Sequence, residues 1–179
     1  MKSKNAHKRA DSVDSVLKAR AKELATPPES EDKSVDLVEI VEFTLGTEHY
    51  AFPSACVSEV FRLTEITPLP SLPPFVLGVT NVRGRILSVV DLRRLLDFGD
   101  TGLTNLNRAI ILNDRDMELA VLADEVAGVY ASDSDKWQKS LSTLVGKREA
   151  YLKGVTRDRV VVLDAERLLR SKDLLVGVD

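Results

Sequence analysis

The feature that most constrains this chain is that it repeats itself. "YAFPSACVSEVF" at 50–61 aligns with "LAVLADEVAGVY" at 119–130, matching Ala51 to Ala120, Val57 to Val126 and Val60 to Val129. "GVT" at 78–80 recurs at 154–156, and "VDLRRLL" at 90–96 recurs as "LDAERLL" at 163–169. Three blocks in the same order imply two related modules, each of about fifty residues. A module that small buries its own apolar face poorly. The two, about 50–96 and 119–169, are therefore expected to pack against each other.

The local patterns say what the modules are made of. "DLVEIVEFTLG" alternates apolar and polar residues and "EHYAF" follows the turn at Gly46, the signature of a hairpin. "VSEVFRL" predicts a third strand, with Val57, Val60 or Phe61, and Leu63 available to a core. "TPLPSLPP" holds four prolines in eight residues and predicts an extended loop. Strands are expected near 78–82 and 85–90, followed by a short helix at 92–97. "RAIILN", "MELAVLA", "EVAGVYA", "YLKGVT" and "RVVVLD" continue the short-strand pattern before a last helix near 165–171. Closely spaced short strands of this kind predict an all-β protein built of barrels or a sandwich.

The copies differ at one place. Asp91 follows Gly78 by thirteen positions, whereas Asp164 follows Gly154 by ten. The three extra residues belong to "NVRG", in a hairpin whose counterpart "GVTRDRVVVLD" folds without them. A feature the module does not need for folding is a better functional candidate than one it does.

Composition narrows the classes. The formal net charge is −3 and aromatics are 5%, which argues against a nucleic-acid surface built on basic patches and stacking platforms. No apolar run is long enough to span a bilayer, and "MKSKNAHKRADS" lacks the apolar core of a signal peptide, so a cytoplasmic location without membrane insertion is expected. The single cysteine, Cys56, forms no internal disulfide and reads as a small core hydrophobe. The first 35 residues stand apart: Val13, Val16, Leu17, Ala21 and Leu24 have helical spacing, Pro27 and Pro28 end it, and "ESEDKS" is a linker. This N-terminal extension, 1–35, is an amphipathic helix if it docks and a frayed tail if it does not. The main domain is expected over 36–175.

"VEFTLGTEHYAFP", "VSEVFR" and above all "GVTNVRGRILSVVDLRRLL" resemble the CheW family of chemotaxis coupling proteins, over about 37–171. The resemblance implies two packed five-stranded SH3-like β-barrels with short helices, no catalysis and no cofactor. It implies a non-catalytic adaptor that bridges the cytoplasmic tip of chemoreceptors to the regulatory domain of a CheA-type histidine kinase, peripheral to the membrane through receptor arrays. By position it implies partner-binding roles for Val57 and Glu59 on a receptor-contacting strand, and for Gly78, Asn81, Arg83 and Gly84 in the supporting turn.

Each of these residues also has a structural reading. Arg83 is a solvated turn arginine or a contact residue; contact is preferred, because guanidinium suits carboxylate and carbonyl recognition and the second module lacks the insertion. Gly84 is expected to be a positive-φ turn residue. Asp91 fits a helix N-cap better than a contact. Glu59 lies on an exposed strand face or in the contact surface. Trp137 anchors packing between modules or holds a partner. His7 and His49 are isolated, His49 fits a hairpin residue, and no Cys/His spacing suggests a metal. Asp114 and Asp116 fit hairpin-turn chemistry. Two rivals remain: an adaptor of another CheA-type pathway, in type IV pilus motility or gene regulation, made plausible by the extension, and a β-barrel nucleic-acid binder using Arg83, Arg85, Arg93 and Arg94.

Overall fold

The computed structural model describes residues 36–98, 107–139, 146–172 and 174. The N-terminal extension expected over 1–35 lies outside them. Ten strands follow in order: β1 (Leu37–Leu45), β2 (Glu48–Pro53), β3 (Val57–Arg62), β4 (Val76–Val82), β5 (Arg85–Val90), β6 (Arg108–Asn113), β7 (Glu118–Ala123), β8 (Glu125–Asp133), β9 (Leu152–Val155) and β10 (Val161–Leu163). The short helices are α1 (Leu92–Leu95), α2 (Lys147–Ala150) and α3 (Ala165–Leu169), and 3₁₀ turns cover Ser54–Cys56 and Ser134–Lys136. The fold is all-β, as the pattern of short strands predicts.

The strands form two five-stranded sheets with orders β8-β1-β2-β10-β9 and β3-β6-β7-β5-β4. Exchanging β1–β5 with β6–β10 turns one order into the other. The repeat therefore starts earlier than Tyr50, at β1 in one copy and β6 in the other. It also does not follow the sheets. Each copy places its first two strands in one sheet and its last three in the other, so 50–96 and 119–169 are not two self-contained sheets. The parallel pairs β2 with β10 and β5 with β7 join the copies. Neither copy can complete a sheet alone.

"GVT" recurs because each sheet is closed at the same point. Beyond β3, Thr67 bridges Val79 of β4; beyond β8, Gln138 bridges Val155 of β9. The two backbone hydrogen bonds of each bridge measure 2.8–2.9 Å for Thr67 and 2.9 Å for Gln138. The glycine before each valine makes room for the closing segment. A Cβ on Gly78 would lie 2.2 Å from the Thr67 carbonyl oxygen, and one on Gly154 would lie 2.7 Å from Trp137 Cβ. Barrel closure gives Gly78 a steric cause.

The matched alanines have a similar cause. Ala51 is fully buried inside the barrel of β1, β2 and β8–β10 (the second barrel) with Ile40, Trp137, Val160 and Val162. Ala120 sits inside the barrel of β3–β7 (the first barrel) with Val89, Ala109 and Leu122. Trp137 thus packs inside the second barrel, where it meets Ile40 and Ala51 of the first copy beside Val160 and Val162 of its own, and its indole N–H donates to Ser132 Oγ at 2.8 Å; of the two alternatives it fits packing between modules. The largest apolar cluster lies between the sheets. Phe43, Leu45, Tyr50 and Phe52 meet Ile110, Leu112, Leu119 and Val121, and helices α1 and α3 seal it with Leu92, Leu95, Leu168 and Leu169.

The two helices start alike. Asp91 is the N-cap of α1, accepting from Arg93 N–H at 3.0 Å; Asp164 is the N-cap of α3, accepting from Arg167 N–H at 3.0 Å. Asp91 is also buried and ion-paired with Arg93 and Arg94, so capping accounts for it. The hairpin reading of "NDRD" holds as well: Asp114 Oδ1 accepts from the N–H groups of Asp116 and Met117 at 2.9 and 2.8 Å. Cys56 is half-buried against the central cluster, and burial, then Glu166, pushes its thiol pKa up.

Candidate partner-binding site at the lengthened hairpin

The three extra residues of the first copy lengthen the β4–β5 hairpin. Its register runs on to Thr80–Leu87, Asn81–Ile86 and Val82–Arg85, whereas β9–β10 pairs only from Leu152–Leu163 to Val155–Val161. The loop between Val82 and Arg85 is two residues, Arg83 and Gly84, with φ of +52° and +85°. Positive φ at both central positions is the pattern of a type I′ turn, whose twist matches that of the strands. Gly84 has the expected conformation, and open space surrounds its missing Cβ. Asn81 Oδ1 accepts from Gly84 N–H at 2.8 Å, which fixes the turn from within.

Alternation along the hairpin sends Val82 and Leu87 inward, where they cover Ile111 and Phe61 at the mouth of the first barrel. Both are buried, and burying an aliphatic side chain contributes roughly 1.5–3 kcal/mol. Above this plug lies a charged layer. Arg83 Nη2 stands 2.9 Å from Glu59 Oε1 on β3, Arg85 pairs with Glu118 on β7, and Arg85 Nη2 is 4.0 Å from the other Glu59 oxygen. The structure thus brings four of the sequence-selected residues, Glu59, Asn81, Arg83 and Gly84, to one place. Glu59 does not lie on an open strand face: its side chain is 22% exposed, against 78% for Arg83.

Energetics separates what folds the hairpin from what decorates it. An exposed ion pair such as Arg83–Glu59 contributes about 0–1 kcal/mol. A non-glycine residue in the left-handed region costs roughly 1–2 kcal/mol. At Arg83 the two at best cancel. Val82 and Leu87 hold the hairpin; Arg83 adds an exposed guanidinium and no stability.

The remaining two selected residues lie elsewhere. Val57 is half-buried against the central cluster, as is its counterpart Val126. Gly78 is buried under Thr67. The structure adds a residue the sequence reading passed over: Ile86, opposite Asn81, is 66% exposed. Its signal was present in "RILSVV", since Ile86 and Leu87 are consecutive in a strand and only one of them can face inward. Val60 is exposed too, so of the two alternatives Phe61 is the inward residue.

The arginines of the nucleic-acid rival do not make a patch. Arg83 and Arg85 are paired with Glu59 and Glu118 at one end of β5, and Arg93 and Arg94 with Asp91 beyond its other end. At about 3.3 Å per residue, Arg85 and Asp91 are roughly 20 Å apart. Arg83 and Arg85 each meet a carboxylate of their own, and Arg93 and Arg94 share that of Asp91.

Residues 39–173 match the family model of the CheW-like domain. The chain belongs to the CheW-like family. It is 29% identical over 143 residues to the chemotaxis protein CheW of Treponema pallidum, with 76% of this chain and 84% of that protein covered. It is 27% identical over 136 residues to protein PilI of Pseudomonas aeruginosa, covering 76% of each. The crystal structure of the scaffolding protein TtCheW from Thermoanaerobacter tengcongensis superposes with a TM-score of 0.65 at 25% identity, over 76% of this chain and 94% of that one. The CheW-like family is one of scaffolding adaptors, and this chain is a CheW-like adaptor, not an enzyme. Among the described residues no helix is long and apolar enough to cross a membrane.

Proposed function

We propose that this adaptor couples the cytoplasmic tip of chemoreceptors to the regulatory domain of a CheA-type histidine kinase, by binding alone, in the cytoplasm beside receptor arrays. One observation carries the reading. Among the described residues, the one hairpin lengthened relative to its internal counterpart ends in Arg83, a left-handed, exposed residue that contributes nothing net to stability and meets Glu59 on β3. Residues kept against local conformational preference are candidates for contact with a partner. Arg83 exchanges its carboxylate between Glu59 and the partner, and Ile86 offers apolar area beside it.

In this reading Glu59, Asn81, Arg83 and Gly84 act at the surface, Val57 supports β3 from behind, and Gly78 keeps the barrel closed beneath the hairpin. Transient interfaces of this kind are of standard size or smaller, so affinity near the micromolar range is expected. Calorimetric titration against the kinase regulatory domain and a receptor-tip fragment from the same genome tests it. Binding to both supports coupling. Binding to neither rules it out. The similarity to PilI favours a second reading, the same coupling role in a pilus-motility pathway; titration against kinases of both pathways separates the two.

A further inference from the structure

Among the described residues the second barrel has no plug. Its β9–β10 turn stops short of the mouth, leaving a cavity of about 510 Å³ lined by Ile40, Glu42, His49, Tyr130, Asp158 and Val160, with the Ser132 and Thr156 hydroxyls at its wall. Matching the copies through their registers shows what has changed. Glu42 opposes Ala51 in β1–β2 where Ile111 opposes Ala120 in β6–β7. Ile111 is fully buried and apolar under the hairpin; its counterpart is a carboxylate with an 18% exposed side chain, hydrogen-bonded to His49 Nδ1 at 2.7 Å. Tyr130, 49% exposed, takes the place of half-buried Phe61. His49 takes up Oε1 of this charge, which leaves Oε2 to face a further donor at a position that is barrel core in the sister module.

The lining also shows the sign of that partner. Glu42 and Asp158 are anionic, and the hydroxyls of Ser132 and Thr156 already accept bonds from Trp137 Nε1 and Val160 N–H. Tyr130 donates its hydroxyl proton to the Ala127 carbonyl at 3.3 Å, leaving oxygen lone pairs. His49, whose Nδ1 faces Glu42, leaves Nε2 as the one further nitrogen. The acceptors of the wall are the carboxylates of Glu42 and Asp158 and the Tyr130 oxygen, with an aromatic ring at its rim and an apolar floor of Ile40 and Val160. Such a lining suits a donor-rich cation with a short apolar stem, held by carboxylates and stacked on the ring.

We infer that the open mouth of the second barrel binds a guanidinium group, with Glu42 as its main carboxylate, Asp158 as its second and Tyr130 as the stacking face. It is a site apart from the hairpin and does not rest on the coupling role. The guanidinium has two possible sources, a free alkylguanidine or an arginine side chain on a protein.

An NMR titration of the full chain with agmatine, and separately with the peptide acetyl-Gly-Arg-Gly-amide, tests this. Saturable shifts at Ile40, Tyr130 and Val160 are expected with at least one probe, weakened tenfold or more in Glu42→Gln and unchanged in Glu149→Gln, a charge on α2 away from the cavity. Stronger binding of agmatine assigns the site to a free ligand, and stronger binding of the peptide assigns it to a partner's arginine; both support guanidinium recognition. No shift with either probe, or equal binding by wild type and Glu42→Gln, overturns it. Should Glu42→Gln fail to melt cooperatively, Asp158→Asn in the turn takes its place, and the same loss is required.

Discussion

The two hairpins β4–β5 and β9–β10 occupy the same place in two copies of one module, yet they end differently. The first is three residues longer, folds Val82 and Leu87 into its barrel mouth and lifts Arg83 into solvent. The second stops short, and its barrel mouth stays open and lined with Glu42, His49 and Asp158. What the copies share answers to folding: closing glycines, interior alanines and capping aspartates each have a steric or hydrogen-bonding cause. Of what they do not share, Val82 and Leu87 are buried and answer to folding, whereas Arg83 is exposed and is where a partner is proposed.

The largest effect should come from a shared feature. Gly78→Ala drives a Cβ to 2.2 Å from the Thr67 carbonyl at a φ of +144°, so a loss of about 3 kcal/mol or more is expected. Gly154→Ala meets only the Trp137 side chain, nearest at Cβ, 2.7 Å away, and should cost roughly 1–3 kcal/mol. Denaturant melts of both variants check the order; equal costs would break the assignment of backbone closure to Gly78.

Next is the plug. Leu87→Ala removes a buried side chain from the mouth of the first barrel and should cost about 2–4 kcal/mol. A cost below about 1 kcal/mol would mean that Val82 and Leu87 do not hold the hairpin. Arg83→Asn places a residue that tolerates the left-handed region in a turn that favours it. Stability should rise by a few tenths to about 1 kcal/mol in a thermal melt.

The smallest effect concerns the turn between β6 and β7. Asp114 accepts two backbone hydrogen bonds, and these, with Arg170 nearby, hold its carboxyl below the usual carboxylate range. A lowered folded-state pKa gives stability that is present above the unfolded value, near 3.9, and lost as pH falls through the folded value. Asp114→Asn should therefore be less stable than wild type at neutral pH, and the gap should narrow as pH drops below about 4. A gap independent of pH would assign the difference to turn geometry instead of charge.

Much of this was legible in the sequence. Period-two alternation set the strands, Pro-rich 67–74 set the loop, and the aligned blocks marked the repeat. The interlocking was not, because sheet membership depends on parallel pairings between β2 and β10 and between β5 and β7, which leave no mark in either strand alone. The counterpart of β6 also went unseen, since β1 carries Glu42 where β6 carries Ile111 and the match is masked by that substitution. At the site, spacing located Arg83 and Gly84 but not their partner. The Arg83–Glu59 pair joins residues far apart in sequence, through a hairpin that bends over a strand at the barrel mouth. The closing role of Gly78 is not legible in the sequence, because a glycine carries no sign of what approaches it.

The central claim is that Arg83 serves coupling and not folding. Receptor-dependent control of kinase activity, reconstituted from receptor, CheA-type kinase and this adaptor, tests it most directly when wild type and Arg83→Asn are compared beside their melting curves. The account predicts that Arg83→Asn melts at or slightly above the wild-type temperature while needing about tenfold more protein to couple, a loss of roughly 1.4 kcal/mol in binding. Wild-type coupling by a normally folded Arg83→Asn protein would contradict it.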